Sequence, residues 1–135
     1  MKVTVSIFVF LFPLLACAQL TVTVSAPKVG AQKAVVHLVM KNGFSERIES
    51  ARAVVFLLDE QGKMVGQSTK WVIGGSEQKQ GLSAGATNVF NFVITADKPL
   101  TSTNLTAKVS FNRVVLAGGK LPNLKKEVLI QSASK

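Results

Sequence analysis

Residues 51–62 read Ala-Arg-Ala-Val-Val-Phe-Leu-Leu-Asp-Glu-Gln-Gly, and this stretch decides the fold. Apolar residues occupy every second position, namely Ala51, Ala53, Val55 and Leu57. In an extended chain such positions share one face, as in a half-buried strand. The stretch ends in a turn segment, in which Asp59 can accept hydrogen bonds from turn amides and Gly62 can adopt positive φ. It therefore predicts a long strand followed by a hairpin.

Six other segments of the chain are strand candidates. They are residues 20–25, 35–40, 63–73, 90–95, 107–111 and 127–131. Turn residues separate them at fairly regular spacing, and no segment after Leu15 keeps a helical period over three turns. About seven short strands are typical of an all-β, two-sheet, immunoglobulin-like antiparallel sandwich. An up-and-down barrel is the alternative.

The inward half of each strand supplies the core of a sandwich. We therefore expect a core that contains Val36, Leu38, Ala53, Val55, Leu57, Phe90, Phe92, Val109 and Phe111. Trp71 is predicted to anchor the core or its rim, and the alternative role of this amphipathic side chain is to stack on a ligand. His37 shares its strand face with Val35 and Val39, so we expect it to be a sheet-face residue.

The first 18 residues have the pattern of a secretory signal peptide. Lys2 precedes an apolar run from Val3 to Leu15, and the small residues of Ala16-Cys17-Ala18 match the pattern that signal peptidase recognises. The run is shorter than the roughly 20 apolar residues of a membrane-spanning helix. We therefore predict a signal peptide over residues 1–18 and one extracytoplasmic domain, periplasmic or secreted, over residues 19–135.

Cys17 allows a second form of export. Leu14-Leu15-Ala16-Cys17 resembles the lipobox of bacterial lipoproteins, in which the cysteine becomes the lipidated N-terminus. Lipoproteins usually carry a polar tether after this cysteine, whereas a strand pattern begins here at Leu20, so a free mature protein is favoured over a membrane-anchored lipoprotein. Contact with a membrane is expected only if Cys17 is lipidated, because acyl chains add about 0.8 kcal/mol of membrane affinity per buried CH₂.

Charge and cysteine content narrow the chemistry of the mature chain. Lys2 is the one basic residue in the predicted signal peptide, so the mature chain has 15 basic and 7 acidic residues and a net charge of +8. Such a charge attracts anionic surfaces, but the basic residues are spread along the chain, so no specific nucleic-acid site is expected. Cys17 is the single cysteine and His37 the single histidine. We therefore expect no disulfide, no metal site and no cofactor.

Residues 53–63, Ala-Val-Val-Phe-Leu-Leu-Asp-Glu-Gln-Gly-Lys, resemble the signature of the FxLYD family of small extracytoplasmic β-sandwich domains. That signature is an aromatic residue, any residue, Leu, Tyr and Asp, followed shortly by Gly. Leu57, Asp59 and Gly62 match it, whereas Val55 stands for the aromatic residue and Leu58 for the Tyr. The resemblance implies a fold and an extracytoplasmic setting, and it brings no catalytic residues.

Three basic residues in strand-like segments, Arg52, Lys70 and Arg113, are the best candidates for a binding site. If their side chains converge on one sheet face, they would form an anion-binding face. No nucleophile elbow and no phosphate-loop spacing accompanies them, so we do not expect an enzyme. We expect an exported interaction or accessory module of the cell envelope, whose partner is a protein or an anionic envelope component. A carrier that holds a small apolar ligand or lipid between its sheets is the alternative.

Overall fold

A computed structural model describes residues 19–75, 80–101 and 104–133 of the chain. The predicted signal peptide, with Cys17, lies outside these residues. The described elements are β1 (Leu20–Val24), β2 (Lys28–Val29), β3 (Lys33–Asn42), β4 (Ile48–Leu58), β5 (Met64–Ile73), β6 (Thr87–Thr95), β7 (Thr106–Leu116), α1 (Leu124–Glu127) and β8 (Val128–Ser132). Within the described ranges no helix has the length and the hydropathy that crossing a bilayer requires.

The strands form two sheets that face each other as a sandwich. In the first sheet β3 pairs with β1, β2 and β6, and β8 pairs with β1. In the second sheet β4 pairs with β5 on one edge and with β7 on the other. The predicted two-sheet sandwich is confirmed. One strand departs from the expected antiparallel arrangement, because β8 runs parallel to β1.

The two sheets bury their inward faces against each other. Along β1, β3 and β4, buried and accessible residues alternate almost without interruption, as a half-buried strand requires. Eight of the nine predicted core residues are buried, namely Val36, Leu38, Ala53, Val55, Leu57, Phe92, Val109 and Phe111. Phe90 is half-buried instead and packs against the core, with its ring edge-to-face on Phe92 at a centroid distance of 6.0 Å.

Asn42, at the end of β3, is the one buried polar residue in the described part of the chain. Its Nδ2 donates to the carbonyl oxygens of Glu46, at 2.9 Å, and Leu82, at 2.8 Å. Its Oδ1 accepts from the backbone N–H of Phe44 at 2.8 Å. Both side-chain N–H groups and the carbonyl oxygen are therefore paired, which offsets the cost of burying them. Asn42 ties the loop after β3 to the loop that precedes β6.

Asp59 closes the hairpin between β4 and β5, as predicted. Its Oδ1 accepts hydrogen bonds from the backbone N–H groups of Gln61 and Lys63, both at 2.9 Å. Gly62 adopts a φ of 80°, a conformation that costs a glycine little because it has no Cβ. The carboxylate of Asp59 is therefore a structural group of the turn.

The two long sides of the sandwich are closed to different degrees. On one side β5 and β6, from different sheets, are linked by a bridge between Gly66 and Ala96. On the other side β7 pairs only with β4 and β8 only with β1, so the facing edges of β7 and β8 are unpaired. In an immunoglobulin-like sandwich the last strand pairs with the strand that corresponds to β7. The pairing of β8 with β1 therefore leaves a cleft along this side.

Candidate anion-binding face

Arg52 and Arg113 lie opposite each other on the outer face of the second sheet. Arg52 on β4 is in register with Arg113 on β7 and, across its other edge, with Trp71 on β5. Both arginines are exposed and Trp71 is half-buried. The ladder shifts register next to Arg52 in both pairings, which is typical of a β-bulge and re-aims the side chains around it. Trp71, Arg52 and Arg113 therefore form one row across the sheet, which we name the arginine row.

Trp71 is held in this row by two neighbours. The Cζ atom of Arg52 lies 5.9 Å from the centroid of the indole, within cation–π range. Gly75, with a φ of 80°, approaches the indole so closely that a Cβ there would lie 2.5 Å from Cγ of Trp71. Trp71 is thus an anchor at the rim of the sheet, which is the first of the two roles predicted for it. Its position beside the Arg52 guanidinium was not predicted.

No carboxylate in the described part of the chain forms an ion pair with the arginine row. The single ion pair within 4.0 Å among the described residues joins Lys120 to Glu46, so neither Arg52 nor Arg113 takes part in one. The next row of the outer face consists of Thr69, Val54 and Ser110, and the row after it of Gln67, Phe56 and Lys108. The outer face of the second sheet therefore presents only neutral and cationic side chains along these three rows.

Lys70 does not belong to this face, and the prediction that it converges with the two arginines is wrong. It precedes Trp71 in β5, and successive side chains of a strand point to opposite faces. Its Nζ donates to the carbonyl oxygen of Val93 on β6 at 3.0 Å and lies 5.4 Å from the ring centroid of Phe92. Lys70 therefore links the two sheets along the β5–β6 side.

His37 lies on the outer face of the first sheet and is half-buried, as predicted. Its Nδ1 is hydrogen-bonded to Oδ1 of Asn91, the residue opposite it on β6. Within residues 19–75, 80–101 and 104–133 no three His, Cys, Asp or Glu side chains lie close enough to hold a metal ion. The same outer face exposes Val39, Val89 and Leu129.

The larger cavities of the described residues lie at the rim of the sandwich. A cavity of about 490 Å³ opens between the β4–β5 hairpin and residues 97–101 and is lined by charged as well as apolar side chains. The space between the sheets is filled by side chains whose exposed fraction is zero, among them Val22, Val36, Leu38, Val55 and Phe92. A small molecule bound between the sheets would have to displace them.

Comparisons of the chain with protein-family models, with curated proteins and with solved structures gave no match. Membership of the FxLYD family therefore stays a prediction, which rests on the motif at residues 53–63. What the chain does is inferred below from its own side chains.

Proposed function

We propose that the chain is an exported, non-enzymatic interaction module that binds an anionic component of the cell envelope through the arginine row. The observation that carries this proposal is the direct pairing of Arg52 with Arg113, beside Trp71 and without an ion-pair partner among the carboxylates of residues 19–75, 80–101 and 104–133. Like charges at directly opposed positions of two strands destabilise the sheet. An anion bound between them would turn this repulsion into two attractive contacts.

The residue types of the row suit a carboxylate or a phosphate group. A guanidinium group presents its N–H donors in a planar fork that matches either anion, and its charge persists at every physiological pH. Trp71 adds an apolar surface against which the uncharged part of a ligand, such as a sugar ring or an acyl chain near its headgroup, can pack. Uronic acids and anionic lipid headgroups both combine these features.

An envelope setting is supported by the sequence of the N-terminal segment and by the charge of the mature chain. The signal pattern over residues 1–18 directs the domain out of the cytoplasm. A net charge of +8 attracts the domain to anionic surfaces before any specific contact forms. Lipidation of Cys17, the alternative form of export, would hold the arginine row within reach of a membrane surface.

The second candidate, a carrier of a small apolar ligand, has less support. It needs an apolar cavity between the sheets, where Val36, Leu38 and Phe92 are fully buried against their neighbours. A ligand would need space between the sheets, and a close-packed interior makes such space only at a cost, because it relaxes only partially.

The proposal is tested by reversing the charge of the row in the mature chain, residues 19–135. We expect Arg52→Glu/Arg113→Glu to weaken binding to phosphatidylglycerol vesicles, or to oligogalacturonate, by at least about thirtyfold, because each basic residue near an anionic surface contributes about 1 kcal/mol. The matched control is Lys33→Glu/Lys63→Glu, which changes the net charge equally at two exposed residues outside the row. The two probes distinguish a headgroup phosphate from a carboxylate. An equal loss of affinity in both double variants would show that binding depends only on net charge, and it would refute the proposed site.

A further inference from the structure

The cleft between β7 and β8 is bordered by two strand edges that face each other without pairing. The Cα atoms of the two strands are almost everywhere more than 8 Å apart. Neighbouring strands of a sheet lie about 4.8 Å apart, so this separation is too wide for β7 and β8 to pair with each other. The backbone groups on the free edge of β7 are therefore open to pairing with an additional strand.

The floor of the cleft is apolar. A cavity of about 340 Å³ is lined by Val109 and Phe111 of β7, Val128 and Ile130 of β8, and Leu124 of α1. Val128 and Ile130 are only half-buried, although they occupy the inward positions of β8. A second cavity, of about 170 Å³, continues along the start of β7 towards Ser132 and Ala133. The cleft therefore runs along the first half of β7 and offers apolar surface to alternate residues of an extended chain.

The rim of the cleft is positively charged. Lys125 of α1 lines the cavity, and Lys108 is exposed on β7 beside it. No acidic residue lines either cavity, and neither β7 nor β8 contains one. Charge complementarity therefore favours an occupant that is acidic where it faces the rim.

We propose that this cleft binds an extended peptide segment of a partner protein, with apolar and acidic residues in alternation, which adds as a strand to the free edge of β7. Apolar side chains of every second residue would cover Val109, Phe111 and Ile130, and the backbone of the segment would pair with the free edge groups. This is the β-augmentation mode of peptide recognition, in which main-chain hydrogen bonds give affinity and alternate side-chain positions give specificity. Six residues at about 3.4 Å each would span the stretch from Thr106 to Phe111. The proposal does not rest on the arginine row, which lies two rows away from Lys108 on the outer face of the second sheet.

The test uses the mature chain and a synthetic eight-residue peptide of alternating Glu and Val. Binding is measured by calorimetry, and protection of backbone amides from hydrogen exchange is measured by NMR. We expect saturable binding that protects amides of β7 between Thr106 and Phe111. A peptide of the same composition with its Val residues in one block should bind at least about tenfold more weakly, because only the alternating peptide places its Val side chains on one face.

Two pairs of variants separate the cleft from general electrostatics. Lys108→Glu/Lys125→Glu should weaken binding of the alternating peptide by about tenfold, since it reverses both rim charges. Lys33→Glu/Lys63→Glu, with the same change in net charge outside the cleft, should leave most of the affinity intact. Arg52→Glu/Arg113→Glu should likewise retain the peptide-dependent protection of β7. The proposal for the arginine row and the proposal for the cleft can therefore fail independently of each other.

Three outcomes would overturn the proposal. The first is an absence of saturable binding or of protection along β7. The second is equal affinity for the alternating and the block peptide. The third is protection of β7 that appears without peptide as the protein concentration rises, accompanied by dimer formation in sedimentation equilibrium, because the occupant would then be a second copy of the chain.

Discussion

Arg52 on β4 stands directly opposite Arg113 on β7, and neither arginine forms an ion pair with a carboxylate of the described residues. Such a pair is unfavourable for the free protein, since like charges opposite each other in a sheet destabilise it by a few tenths of a kcal/mol or more. A bound anion would offset this repulsion, and the proposed ligand therefore accounts for the presence of two arginines at opposed positions. Binding and stability should therefore respond to the two arginines in opposite directions.

Neutralising one arginine of the pair is expected to stabilise the free protein. We expect Arg113→Gln to raise the free energy of unfolding by about 0.5 kcal/mol, because it removes the repulsion from Arg52. In a chain that already carries Arg52→Gln, the same change should give no such gain, and this difference is the coupling that a double-mutant cycle measures. Urea denaturation of the four proteins checks it. A coupling energy of the opposite sign would show that the two arginines stabilise each other in the free protein.

Lys70 should affect stability and leave the binding of anions unchanged. Lys70→Met removes the charged donor to the Val93 carbonyl oxygen and keeps the apolar stem, so we expect a loss of about 1 kcal/mol in the free energy of unfolding. This is less than the roughly 1.5–3 kcal/mol of hydrogen bonds to charged groups, because the side chain is only half-buried. Its affinity for phosphatidylglycerol vesicles should stay within a factor of two or so of the original. Lys63→Met, at an exposed turn residue, is the control for loss of one charge. A lower affinity in Lys70→Met, with an unchanged affinity in Lys63→Met, would show that Lys70 belongs to the binding site.

Asn42 should be the most sensitive polar residue of the described part of the chain. Asn42→Leu would leave the carbonyl oxygen of Glu46 and the N–H of Phe44 without their side-chain partner, whereas the carbonyl oxygen of Leu82 would keep its hydrogen bond from the Ile48 N–H. Each unsatisfied buried group costs about 1–3 kcal/mol, so we expect a loss of about 3 kcal/mol or more in the free energy of unfolding. Asn88→Leu is a matched control, since Asn88 is exposed on β6. Equal and small losses in both variants would mean that the Asn42 network contributes little.

The predicted export of the chain, and its form, can be tested at the N-terminus of the mature protein. Cleavage after Ala18 would leave Gln19 as the first residue, whereas lipoprotein processing would leave a diacylated Cys17. We expect the free form with Gln19. Intact-mass spectrometry of the protein from the native envelope distinguishes the two, because the acylated form is heavier and partitions into detergent. An acylated Cys17 would contradict the prediction and place the domain at a membrane.

The sandwich and most of its core could be predicted because the pattern of alternation is local. Val36, Leu38, Val55 and Leu57 lie on the buried faces that their spacing indicated. The partner of β8 could not be predicted, since the half-buried Val128 and Ile130 alternate in the same way whether the strand pairs with β1 or with β7. The cleft exists because β8 pairs with β1, so it could not be predicted either.

Only part of the candidate site could be predicted, because strand register, like strand pairing, is not a local property of the sequence. Arg52 and Arg113 share a face because the register of β4 with β7 brings them together, and two β-bulges set that register without a signature in the sequence. Alternation within β5 separates Lys70 from Trp71, and applying it to these two neighbours would have corrected the candidate site. The burial of Asn42 was not predicted, because it depends on two loops that are distant in sequence.

The fluorescence of Trp71, the single tryptophan of the chain, gives the most direct test of anion binding at the arginine row. The mature chain is titrated with phosphatidylglycerol vesicles, with neutral phosphatidylcholine vesicles and with oligogalacturonate. We predict a saturable change in emission with at least one of the two anionic probes, none with the neutral vesicles, and an affinity about thirtyfold lower in Arg52→Gln/Arg113→Gln. An unchanged affinity in that double variant, with Trp71 still responding, would contradict binding at the arginine row.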